Sequence, residues 1–216
     1  MNNRATFSTA SRGFSWSFVS SLLVLLASLA AQLALGRLLS KSDFGIYAIA
    51  ISFSNLLVVF RDGGVNRWLS RMSRGEFDRA IGKATSVAVL SCVVVALIVA
   101  FLSWPVGAIY GQSQVTDVLL VLALGLVISP YTVVGLAKLN VDLRFREMAW
   151  IKLLSGFVRY GLAILLAWRG FGPLSFAWPV VAVAIVETAL YAWLTRIPVN
   201  ASDFSMVGLK LSLIHI

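Results

Sequence analysis

"VVFRDGGVNRWLSR", residues 58 to 71, closes an apolar run with an arginine, a carboxylate and two glycines. Either a membrane helix ends at Phe60 and "RDGG" is an interfacial turn, or the helix runs on and carries polar groups into a wet interior. On a helical wheel Ser52, Asn55, Val59, Asp62, Asn66, Ser70 and Ser73 fall within about 80° of arc, at about 100° per residue. One face of a continued helix is then almost wholly polar. Such a face is tolerated beside a water-filled cavity or another polar helix, but not beside lipid. Arg61 points about 180° from the stripe and lies about 25 Å along from Phe44, where it can snorkel to inner-leaflet phosphate. Asp62 is therefore the stripe's only charge. Gly63 and Gly64 supply flexibility or close helix approach beside it.

The apolar run leading into this stretch is one of six. They span about Phe14–Leu35, Phe44–Phe60 (or longer), Ala84–Tyr110, Val115–Leu136, Met148–Trp168 and Leu174–Leu194. Each approaches the roughly 20 residues that a helix needs to cross about 30 Å of hydrocarbon. The chain is 59% hydrophobic and only 12% charged, with a mean hydropathy of +0.90, which excludes an ordinary soluble domain. The alternating ten-residue segments of a membrane β-barrel are missing. The expected fold class is all-α integral membrane, one six-helix domain over residues 1–210.

A net charge of +9 invites a nucleic-acid reading, but the placement of the charges explains it otherwise. With the N-terminus inside, the cytoplasmic segments hold Arg4, Arg12, Arg61, Arg67, Arg71, Arg74, Arg79, Lys83, Lys138, Arg144, Arg146, Lys152, Arg196 and Lys210. The opposite side keeps Arg37, Lys41 and Arg169. Fourteen against three is a positive-inside pattern with both ends cytoplasmic. Its side effect is attraction to anionic membrane lipid. No aromatic-interleaved basic face accompanies it, so no nucleic-acid partner is expected.

Cys92 is the single cysteine and His215 the single histidine, so neither a disulfide framework nor a metal or cofactor site is expected. "SLAAQ" at residues 28–32 has the look of a signal-peptidase site. The run across it is span-length, however, and an uncleaved first span is expected. "LSLIHI", Leu211–Ile216, is what CTG-TCT-CTT-ATA-CAC-ATC encodes, and this resembles a transposase adapter used in library preparation. These residues are expected to be a non-native, adapter-encoded tail on an N-terminal fragment. The alternative is a natural apolar tail that opens a seventh span.

Charged residues inside spans are costly and informative. Arg159 lies nine residues after Trp150, and Glu187 eight before Thr195. In antiparallel helices both then sit about 12–14 Å from the cytoplasmic side. An intramembrane ion pair is expected, either as a buried structural pair or as a working one: a cation for an anionic substrate and a carboxylate for a proton or sodium. Lys152, Ser155 and Gly156 share the face of Arg159, while Thr188, Tyr191 and Thr195 share that of Glu187. Ala27, Ala30, Ala31 and Ala34 offer a small-residue packing surface, with Gln32 as an interhelical hydrogen bonder. Pro130, near Gly125 and Gly135, predicts a kink in the fourth span, and Pro179 another in the sixth.

Three stretches resemble one family, the Wzx-type polysaccharide flippases of the multidrug/oligosaccharidyl-lipid/polysaccharide exporter superfamily. "LGRLLSKSDFGIYAIAISFSNLLVVFRDGG" resembles its first-to-second span signature, ending on Asp62 and Gly64. "LNVDLRFREMAWI" resembles its connection before the fifth span, and "RGFGPLSFAW" its approach to the sixth. Arg61 departs from that pattern, and no family role is carried onto it. The resemblance implies the N-terminal six-helix lobe of a two-lobe exporter that moves an undecaprenyl-pyrophosphate-linked glycan across the bacterial inner membrane by alternating access. Its implied partners are membrane lipids, the lipid-linked glycan, a C-terminal lobe of the same chain and polysaccharide polymerase machinery. Ser52, Asn55, Asp62, Asn66, Ser70 and Arg159 would line the substrate cavity, and Asp62 and Glu187 would couple an ion gradient. Two other readings stay open: a multidrug exporter of the same superfamily, which needs a carboxylate-dominated cavity, and a membrane-embedded polysaccharide-assembly enzyme. No catalytic constellation is visible for the latter, so a non-enzyme is expected.

Overall fold

The computed structural model describes residues 3–61 and 74–195, all in helices and the turns that join them. The helices are α1 (Asn3–Leu38), α2 (Lys41–Arg61), α3 (Arg74–Ile109), α4 (Ser113–Ile128), α5 (Pro130–Val141), α6 (Phe145–Trp168) and α7 (Leu174–Thr195). By length and apolar composition α1, α3, α6 and α7 can each cross a membrane, and the bent pair α4–α5 is a fifth candidate when the two are taken as one span. The chain is thus an all-α, multi-pass membrane protein. The second expected span is present as α2, a 21-residue helix that the length-and-composition count does not include.

The turns follow from local chemistry. At the α1–α2 turn, Ser40 and Asp43 form a reciprocal capping box. Asp43 N donates to Ser40 Oγ at 3.2 Å, and Asp43 Oδ2 accepts from Ser40 N at 2.9 Å. Gly111, Gly170 and Gly172 have φ of +63°, +80° and +56°, a left-handed backbone that glycine adopts without steric cost. Leu143, at φ 55°, takes the same conformation in the α5–α6 turn without being glycine. Around it Arg144 donates from Nε to Glu147 Oε1 at 3.1 Å and from Nη1 to the Leu194 carbonyl at 3.3 Å. The start of α6 is thereby tied to the end of α7, where orphan carbonyls favour a cation.

The fourth span is broken rather than merely kinked. α4 and α5 meet at 47°, and the break falls at Ser129, one residue before the expected Pro130. Proline cannot donate, and it settles at the first position of α5, where its missing N–H costs nothing. Ser129 closes the end of α4 by donating from both N and Oγ to the Leu126 carbonyl, at 3.3 and 3.0 Å. Pro179, by contrast, sits buried inside an uninterrupted α7.

Packing runs as a chain of neighbours. α1 lies along α6, α6 against α7, α7 against α4 and α5, and α4 against α3 and α2. The largest apolar core joins α2, α3, α4 and α7 through Ala50, Val99, Val118 and Ala177. α1 seats Ser20, Ala31 and Leu35 inward, and Gly156 of α6 lets Val24 approach closely. Ala30 and Gln32 are exposed, so the expected bridge from Gln32 does not join this seam. The outer face of α1 shows Leu22, Leu26, Leu29 and Leu33, the last 74% exposed. Such a row suits hydrocarbon and not water.

Candidate functional site

The residues singled out in sequence divide three ways. Asp62, Gly63, Gly64, Asn66 and Ser70 lie outside the described residues, as does the tail Leu211–Ile216. Ser52 and Asn55 are exposed on α2. Arg159 and Glu187 lie elsewhere, and both line one cavity of about 430 Å³. That cavity draws its walls from α1, α5, α6 and α7 and includes nothing from α2.

α6 supplies Lys152, Ser155, Gly156, Arg159 and Tyr160, residues spaced by threes and fours along one helical face. α7 adds Val183, Glu187 and Tyr191 at steps of four, and α1 adds Ser20, Ser21 and Val24. Thr132 and Leu136 come from α5, just past the break. Arg159 is exposed and Glu187 half-buried. The two face one cavity. No Arg159–Glu187 bridge stands among the described contacts, where Arg144–Glu147 at 3.1 Å is an ion pair. An arginine at this depth is costly in hydrocarbon, so its exposure implies a hydrated space beside it.

Two hydrogen bonds frame the cavity. Lys152 Nζ donates to Ser21 Oγ at 2.8 Å, joining α6 to α1 across the wall. Thr188, next to Glu187, donates to the Ile128 carbonyl at 2.8 Å, satisfying an acceptor at the α4–α5 break. Two further hydroxyls lack partners: Thr132 Oγ1 and Ser155 Oγ are buried and unbonded. Other span hydroxyls bond back to their own helix. Ser28 bonds the Leu25 carbonyl, Ser91 that of Ala88, Ser103 that of Ala100 and Thr195 that of Tyr191. The two unmet hydroxyls both belong to this cavity's wall.

The wheel had already gathered Lys152 and Ser155 around Arg159, but it omitted Ser20, Ser21, Thr132 and Tyr160. "SS" within the apolar first span was the available signal for the serines. Only tertiary packing brings Thr132 opposite them.

A family model described as polysaccharide biosynthesis protein matches residues 34–210. Comparison with curated proteins and with solved structures finds no match.

Proposed function

The chain belongs to the polysaccharide biosynthesis protein family, and from that premise we propose that it transports lipid-linked polysaccharide units. Its substrate would be an undecaprenyl-pyrophosphate-linked oligosaccharide, carried from the inner to the outer face of the bacterial inner membrane. The N-terminus is cytoplasmic, and alternating access runs between this bundle and a second, C-terminal lobe. The supporting observation is the cavity of about 430 Å³ that puts Arg159, Lys152 and Glu187 inside a membrane bundle. A glycan-pyrophosphate head is anionic and rich in hydroxyls, whereas its lipid tail can remain in the bilayer. Such a head needs cations and hydrogen-bonding groups in a wet cavity while apolar helix faces seal the rest.

In this mechanism Arg159 attracts the anion, and Ser52 and Asn55 of α2, with Asn66 and Ser70, hydrogen-bond the glycan. Asp62 and Glu187 take up and release the coupling ion, so the conformational cycle is driven by an ion gradient. The polymerase machinery receives the delivered unit. Catalysis has no part in this reading.

The test uses cells lacking the protein. Re-expression restores surface polysaccharide, and without it lipid-linked units accumulate on the cytoplasmic face. Glu187→Gln and Asp62→Asn each reduce export by about tenfold or more at unchanged protein level, as loss of an intramembrane charge worth at least about 1.4 kcal/mol demands. Full export by both variants would remove the coupling role, and full export without the protein would remove the transport reading.

A further inference from the structure

We propose that the break between α4 and α5 is a two-state joint, in which Thr188 of α7 and Thr132 of α5 exchange the Ile128 carbonyl and so set the angle of α5 beside the cavity. The transport reading supplies only the use of this joint; its two states are argued from backbone bonding. In a helix that runs straight through, the N–H of Thr132 would bond the Ile128 carbonyl, four residues back. The threonine hydroxyl has that same carbonyl as its ordinary back-bonding acceptor. Here the donors turn elsewhere. Thr132 N bonds the Ser129 carbonyl at 3.0 Å, and Thr132 Oγ1 is buried and unbonded. Thr188 Oγ1 donates to Ile128 O at 2.8 Å in their place. A carbonyl with two lone pairs can serve Thr132 twice or admit Thr188, but it cannot hold all three donors. The 47° bend thus trades bonds within α5 for one from α7 and leaves a hydroxyl unmet. That hydroxyl favours return, because an unsatisfied polar group inside a membrane is costly.

The surroundings permit the exchange. Pro130 has no N–H to lose when the helix bends. Ser129 already holds the Leu126 carbonyl that a straight helix would pair with that missing donor. The largest apolar core includes Leu122 and Leu126 of α4 but, among the described residues, none of α5. Val133, Val134 and Ala137 of α5 pack instead with Ile81, Ala84 and Ala88 of α3, and Leu139 packs with Ile151 and Tyr191. The joint therefore falls between separately packed clusters, as a hinge does. Gly135 presents bare backbone to Tyr191 of α7, a close contact that α5 can cross with no side chain to withdraw. At the far end, the 3.3 Å bond from Arg144 to the Leu194 carbonyl is a second tie to be released. α5 has 12 residues. It is therefore about 18 Å long, and relaxing the bend by about 20° carries its far end about 6 Å. Thr132 and Leu136 ride on that segment and line the cavity, so the cavity's width follows the joint. Thr188 adjoins Glu187 in sequence, which sets the latch beside the carboxylate of the same cavity.

The experiment uses the purified full chain in nanodiscs. Cys92→Ser removes the native thiol, and Leu143→Cys, at an exposed position just past α5, carries a trifluoromethyl tag for fluorine NMR. Two resonances are expected, or one averaged resonance where exchange is fast. Thr188→Val removes the latch and shifts the population ratio by about threefold to tenfold, the worth of a hydrogen bond between membrane helices. Thr132→Val removes the competitor and shifts the ratio the opposite way. An averaged resonance moves in the same two opposite directions. Thr188→Ser keeps the hydroxyl and stays near the wild-type ratio, which separates the bond from the packing. A single resonance indifferent to both valines overturns the joint, as does displacement in one common direction by both. A ratio moved as far by Thr188→Ser as by Thr188→Val overturns it too. Opposite shifts in a protein that fails to restore surface polysaccharide sink the transport reading and leave the joint standing.

Discussion

At the scale of single residues, glycine illustrates what the sequence conceals. Gly125 and Gly135 flank Pro130 and read as part of a kink. In the structure both are seats for α7: a Cβ at Gly125 would lie 3.5 Å from Val180 Cγ1, and one at Gly135 would lie 2.6 Å from Tyr191 Cβ. The second contact is with the root of a side chain, which cannot swing aside. Gly135→Ala should therefore cost about 1–3 kcal/mol through overpacking, more than the roughly 1 kcal/mol that alanine returns in helix propensity. Gly161 is the counterexample, since it is exposed on α6 with nothing within 4 Å of an added Cβ. Gly161→Ala should raise stability by up to about 1 kcal/mol. Thermal unfolding in detergent reads both: the midpoint falls for Gly135→Ala and rises for Gly161→Ala. A fall for Gly161→Ala or a rise for Gly135→Ala would contradict the packing described. The charged pair was more legible. Arg159 and Glu187 announce themselves because charge inside an apolar run is conspicuous, and helix rise alone matches their depths. Thr132 and Ser155 do not, because a hydroxyl's importance depends on whether its own helix satisfies it.

At the scale of elements, the turn sequences explain why certain stretches carry a family resemblance. "SKSDFGIY" and "RGFGPLSF" meet in space. Phe176 packs edge-on to Phe44 at 5.3 Å and stacks on Tyr47 at 4.4 Å, and a Cβ at Gly172 would lie 3.2 Å from Asp43 Oδ1. The capping box at Ser40 and Asp43 and the left-handed Gly172 are thus parts of one lock joining the α1–α2 and α6–α7 turns. Asp43→Ala should cost about 1 kcal/mol, and Gly172→Ala about 1–2 kcal/mol at its φ of +56°. Because the two residues adjoin, the double variant should lose less than the sum. Strict additivity in denaturation would show that the turns act independently. The break between α4 and α5 makes a second test. Thr188 bonds the Ile128 carbonyl from sixty positions away, a partnership that no local pattern discloses, although Pro130 did disclose the bend. Thr188→Val should cost about 0.5–1.7 kcal/mol, the range for hydrogen bonds between membrane helices, while Thr188→Ser keeps most of it. Equal loss in both variants would assign the effect to packing rather than to the hydroxyl.

For the whole molecule, the extent of the spans was legible and their arrangement was not. Hydropathy marks apolar length, so all six runs fall on helices, as α1, α2, α3, α4–α5, α6 and α7, although α1 and α3 begin well before the apolar runs, at Asn3 and Arg74. All the runs are apolar on most faces, however, and nothing in them says that α1 lies on α6 rather than on α2. The structure does fix which turns share an end. Asp43 adjoins Gly172 at one end, and Arg144 reaches Leu194 at the other. In the proposed orientation the second end, which holds the excess of basic residues, faces the cytoplasm. Orientation bears directly on the cavity, because Lys152 lies near the Arg144 end of α6. Only with that end inside does the lipid-linked head of the proposed substrate meet Lys152 from the inner leaflet. Single cysteines decide the point. Cys92 is fully buried and is replaced by serine. Gln112 in the α3–α4 turn and Arg146 at the start of α6 are exposed and are replaced, one at a time, by cysteine. In intact cells, after the outer envelope is made permeable, a membrane-impermeant maleimide should label Gln112→Cys at once and Arg146→Cys only after the inner membrane is breached. The reverse pattern would turn the bundle over, placing Lys152 at the outer leaflet and making the cavity a point of release rather than of loading.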